Sequence, residues 1–135
     1  MTGRPATRGT GTRGRGDEGQ AAVELALVLP LVAILLLALV QVGLIVRDQI
    51  LVLHAAREAA REAAVDPEPG VPARAAAASS TLDASRLTVD SSGRGGPGTR
   101  VRIHVKYRAP TDVPLVGNAL PDVTLEASAT MRVER

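Results

Sequence analysis

Apolar residues are bunched in one stretch of the chain and alternate with polar ones in two others. Between residues 20 and 46, 22 of 27 positions are apolar, and 25–40 contains no charged or polar side chain. Roughly 20 apolar residues span hydrocarbon as a helix, and 21–46 supplies them. A core helix in so small a chain would keep a polar face, which this stretch lacks. It reads as a single transmembrane helix, interrupted by Glu24, Pro30, Gln41 and Gly43. Helical spacing continues beyond it. Val46, Ile50 and Leu53 recur at i, i+4 and i+7, and AAREAAREAAV follows. Glu58 and Arg61 lie one turn apart, a pair of small stabilising value. Asp66-Pro67-Glu68-Pro69-Gly70 should end the helix. From Gln20 to about Val65 it would measure about 70 Å, half in the membrane and half outside.

The remaining pattern is that of a small sheet. Residues 73–81 read as a short Ala-rich helix, and 85–91 as a strand carrying Leu87 and Val89. The run 93–98, Gly-Arg-Gly-Gly-Pro-Gly, is a turn or flexible loop. Residues 99–108 alternate, with Val101, Ile103, Val105 and Tyr107 on one face. Residues 123–133 alternate likewise through Leu125, Ala127, Ala129, Met131 and Val133, and the segment between, with Pro110, Pro114, Gly117 and Pro121, is mostly loop. The expected fold is therefore membrane-anchored α+β. A long N-terminal transmembrane helix extends outside the membrane and is followed by a small, mainly antiparallel sheet. The outer half of the long helix, or 73–81, would cover the apolar face of the sheet. The expected divisions are a leader at 1–19, the span at 20–46, its continuation at 47–65, a linker at 66–72 and an exported α+β domain at 73–135.

Composition narrows the chemistry. With no cysteine, the chain can hold no disulfide, thiolate metal site or cysteine nucleophile. Tyr107 is its one aromatic residue. His54 and His104 have no companions at ligand spacing, and no nucleophile elbow or phosphate-cradling loop is present, so the expectation is no enzyme, no metal and no cofactor. Asp83 and Asp112 read as turn or cap residues. Residues 65–135 hold 17 large apolar residues (Val, Leu, Ile, Met, Tyr), a thin core for an unstapled domain. That domain should lean on its long helix, the membrane or neighbouring subunits.

The net charge of +2 resides in residues 1–19, a glycine-rich stretch that reads as an unstructured leader and whose Arg4, Arg8, Arg13 and Arg15 outweigh Asp17 and Glu18. These arginines keep the N-terminus cytoplasmic and export the C-terminal domain, giving a single-pass protein of the cell membrane. An ordinary cleaved signal is disfavoured, because the apolar run is long and no small-residue cleavage site follows it. Arg57 and Arg61 read as a solvated helix face in preference to a phosphate-binding pair. The strand at 99–108 lines up Arg100, Arg102, His104, Lys106 and Arg108 on its wet face. Without aromatic interleaving for base stacking, and with Glu126 and Glu134 available nearby, this reads as a solvated, aggregation-resistant edge and not a nucleic-acid site.

Glu24 is the informative interruption. An ionisable group at the end of a membrane helix is a functional hypothesis by default; the plainer reading is that it stays wet among the headgroups. Gly19-Gln20-Ala21-Ala22-Val23-Glu24 before an apolar helix resembles the processing site of type IV prepilins. That resemblance implies cleavage after Gly19 by an inner-membrane prepilin peptidase, leaving Gln20 as the first residue and Glu24 as the fifth. The new α-amino group on Gln20 and a neighbouring subunit's Glu24 would pair as helices stack in a filament, and a carboxylate near a helix N-terminus suits the macrodipole. Over about residues 14–64 the chain is similar to the TadE-like family, minor pseudopilins of tight-adherence (Flp-type) pilus systems. Gly19, Gln20, Ala21, Ala22, Val23, Glu24, Ala26, Pro30, Ala56, Arg57, Glu58 and Arg61 carry the likeness. Leu25 stands where members often have an aromatic residue, and Ala59 where they often have glycine. Pro30 would kink the helix; a tolerated structural kink is preferred over a flexible filament joint.

The resemblance implies a pilin-like, non-enzymatic subunit that assembles or anchors the pilus. Its partners would be the peptidase, membrane lipid, and other pilins and platform proteins met through the apolar helix. The alternatives are a membrane-anchored envelope binding or structural protein unrelated to pili, and then a cleaved, freely secreted binding protein.

Overall fold

A computed structural model describes residues 15–134. Arg4, Arg8, Arg13 and the rest of the expected leader up to residue 14 lie outside the described residues. Helix α1 runs from Arg15 to Val65 and contains Pro30. It already includes residues 15–19, ahead of the expected start at Gln20, so the end of the expected leader is helical. Extending a formed helix by one residue fixes far fewer dihedrals than starting one. The chain divides into two compact units, Met1–Leu35 and Leu36–Arg135.

In the first unit α1 is uncovered on every side. Val23, Leu25, Leu27, Leu29, Leu31, Ile34 and Leu35 are all exposed. α1 is long and apolar enough to cross a membrane, with none of its most apolar stretch buried, and it fits a single-pass anchor.

The second unit holds the rest of α1, helix α2 (Val71–Ala78), and strands β1 (Leu87–Ser92), β2 (Arg100–Ala109) and β3 (Val123–Arg132). The strands form one antiparallel sheet in the order β1-β2-β3, each connected to its neighbour in sequence. β2 is the middle strand, pairing Val105 with Val89 on one side and with Ala127 on the other. The alternating residues Val101, Ile103, Val105 and Tyr107 are buried, as are Leu125 and Val133 of the last segment. Against them lies one face of α1, formed by Val52, Ala55, Ala56, Ala59, Ala60, Ala63 and Ala64. These recur with the helical period, so one stripe of small side chains faces the sheet. The alanine run therefore serves packing as well as helix propensity.

The end of α1 is held from a distance. Helix ends leave carbonyls without intrahelical partners, and α1 has no basic residue in its last turn. The Arg94 guanidinium, from the loop between β1 and β2, donates to the carbonyls of Ala63 and Asp66. The Glu134 N–H donates to Ala64 O at 3.1 Å, and the Asp66 N–H to Glu62 O at 2.9 Å. The glycine-rich 93–98 segment is thus a capping loop with a fixed arginine.

Candidate functional site

The expected site residues lie in the first unit, on the first half of α1. Gly19 is exposed, and a Cβ placed on it would meet nothing within 4 Å. Packing therefore does not require glycine here, and glycine inside a helix costs about 0.5–1 kcal/mol relative to alanine. Gln20 and Glu24 sit one turn apart on an exposed face, and the Gln20 side-chain amide donates to the Glu24 carboxylate at 3.2 Å. The structure thus brings Gln20 and Glu24 together. Pro30 lies further along α1, which stays helical through it, and is exposed.

A polar residue read only as an interruption has a definite place. Gln41 in the second unit is 2% exposed. Its amide donates to Pro110 O at 3.5 Å, and its side-chain oxygen accepts from the Val113 N–H at 3.4 Å. One side chain satisfies a donor and an acceptor of the loop between β2 and β3. The signal available in sequence was an amide in an apolar helix, which needs partners when buried. Two further α1 side chains reach across the unit. Arg47 donates to Thr81 Oγ1 at 3.3 Å, and Gln49 to Glu126 O at 3.1 Å.

The basic strand differs from its expected setting. Because β2 is central and hydrogen-bonded on both sides, its charges do not guard a sheet edge. Glu126 lies 3.3 Å from His104 and 4.0 Å from Lys106, offsetting part of the charge, while Arg100 faces Arg132 across the ladder. Arg61 pairs with Glu58 at 3.5 Å on a solvated helix face. Among the described residues, no group of three or more His, Asp or Glu side chains comes together to hold a metal. Asp83 caps the short helical turn Ala84–Arg86. Its carboxyl is held below its ordinary pKa by the Ser85 hydroxyl, then by the Ser85 N–H and the nearby Arg86 charge.

Residues 19–61 match the model of the family described as TadE-like protein. This segment is TadE-like. The match opens on Gly19 and takes in Gln20, Glu24, Pro30, Gln41 and the alanine face of α1 as far as Ala60. The sheet lies beyond the TadE-like segment. No curated protein and no solved structure matches the chain. The family match suggests an association with pilus assembly. The chain's long apolar helix followed by a small antiparallel sheet is the α+β arrangement that the sequence leads one to expect.

Proposed function

We propose that this protein is a TadE-like minor pseudopilin, cut after Gly19 by a prepilin peptidase, that assembles or anchors a Flp-type pilus without being an enzyme itself. The observation that carries the reading is a TadE-like match opening on Gly19, with Glu24 and an uncovered apolar helix following. Three physical features support it. Gly19 serves no packing need, so its small size is free to suit a protease. The bond between Gly19 and Gln20 joins two exposed residues, so a protease can approach it. Glu24 stands one turn from Gln20 and therefore close to the amine that cleavage creates.

In this reading the N-terminus is cytoplasmic, the sheet domain is extracytoplasmic, and the apolar helix meets other pilins and platform proteins as well as lipid. The test is genetic. Deleting the gene should abolish or sharply reduce surface pili in its host, and the wild-type gene should restore them. A Glu24→Ala variant should reach the membrane yet fail to restore them. Normal piliation in the deletion strain would refute the proposal.

A further inference from the structure

The loop between β2 and β3 carries a contact that the pilus reading does not use. Residues 113–121, Val-Pro-Leu-Val-Gly-Asn-Ala-Leu-Pro, contain no charge, and Asp112 and Asp122 flank them. Thr111 Oγ1 donates to Asp122 Oδ1 at 3.4 Å, and Arg86 pairs with Asp122 at 3.2 Å, so the loop closes on a polar, charged stem. Compact loops with adjoining ends are frequently functional. Within it Leu115 is 69% exposed and Leu120 is 50% exposed. Leu115 holds φ at 69°, in the left-handed region that a leucine rarely enters, and it does so while projecting from the fold. The conformation is built in. A Cβ on Gly117 would fall 1.8 Å from Thr111 O, so only glycine fits, and the Gly117 N–H donates to Val113 O at 2.7 Å.

The position of this loop within its unit names what would cover it. Gln41 bonds to Pro110 O and Val113 N, pinning the start of the loop beside α1 within the apolar run. There Leu36, Leu39, Val40, Val42 and Leu44 are exposed. The charges of Arg47 and Asp48 begin directly beyond that run and are ion-paired at 3.7 Å. Exposed apolar side chains in the loop, charges at its stem and an apolar helix surface alongside match the polarity gradient at the edge of a bilayer.

We infer that the 113–121 loop is a second, shallow membrane contact, with Leu115 and Leu120 entering the headgroup–acyl boundary beside the emerging α1 helix. The inference rests on reading α1 as a membrane span. It gives the sheet domain a second point of attachment to the bilayer, which restricts how that domain tilts against the membrane surface.

The absence of cysteine makes the test direct, because a single introduced thiol takes an environment-sensitive fluorophore. The full chain would be prepared as Leu115→Cys, Leu120→Cys, Leu31→Cys on the exposed apolar helix and Thr130→Cys on the outer sheet face. Each would be placed in phospholipid vesicles with either aqueous iodide or a lipid-borne nitroxide near the headgroups. Labels at 115 and 120 should be quenched by the lipid nitroxide and severalfold less by iodide than the label at 130. This protection should persist as the protein is diluted in lipid. Leu120→Cys stands independently of Leu115→Cys, whose backbone is unusual. Iodide access at both loop positions, with Leu31→Cys still lipid-quenched, overturns the loop contact and leaves the span standing. Iodide access at Leu31→Cys as well overturns the span and the loop contact with it. Protection that disappears on dilution assigns the loop to a second copy of the chain and overturns the lipid contact.

Discussion

Replacing Ile103 by alanine measures how far the sheet depends on α1. Ile103 is 0% exposed on the central strand, within the core formed with the alanine face of α1. Removing its outer carbons loses about 2.4 kcal/mol of transfer energy, at about 0.8 kcal/mol per buried carbon group. A residual cavity adds to this, and large-to-alanine changes span about 2–5 kcal/mol according to how well the site collapses. Here collapse is hindered, because Ala55, Ala56, Ala59 and Ala60 have no rotamers with which to fill the space. The expected loss is therefore about 4 kcal/mol, towards the upper end of that range. Tyr107, the one aromatic residue, is buried in β2 and reports unfolding of the second unit by its fluorescence. Urea titration of the full chain in detergent should show the midpoint falling sharply at constant m-value. Met131→Ala, at a position 39% exposed on the same face, should cost under about 1 kcal/mol and serves as the control. A loss below about 1.5 kcal/mol for Ile103→Ala would refute the packing of the sheet on α1.

Three other outcomes follow from named contacts. Arg94→Ala removes the charged cap from Ala63 O and Asp66 O and should cost about 1–2 kcal/mol, with amide exchange accelerated in the last turn of α1. Gln41→Ala strips partners from Pro110 O and the Val113 N–H, and should cost about 1–3 kcal/mol by the same urea titration. Asp83 has a folded pKa below its unfolded value, so the stability it contributes is present above the unfolded value and is lost as pH falls through the folded one. In NMR titration, Ser85→Ala should move that pKa back up while the remaining Ser85 N–H contact keeps part of the shift.

The features readable in sequence are those set by local period. The alternation of Val101, Ile103, Val105 and Tyr107 gave their strand and its buried face, and Asp66-Pro67 marked the end of α1. Proximity in space was not legible. Arg94 lies 28 residues from Asp66, and its glycine-rich surroundings gave no sign that it closes a helix. Gln41 lies 72 residues from Val113, so an amide that looked like a flaw in a membrane span proved to be a tie to a loop. Strand order, too, is set by pairing, and only the fold shows that the cationic strand is central and not an edge. At the candidate site, Gly19 and Glu24 were legible because five residues of spacing carry the signal. The hydrogen bond that holds Glu24 to Gln20 follows from the helical turn between them.

The most direct test of the central claim is the intact mass of the membrane-fraction protein from hosts with and without the prepilin peptidase. A pseudopilin processed after Gly19 should begin at Gln20 in the first host and retain residues 1–19 in the second. An identical, uncut chain in both would contradict the account.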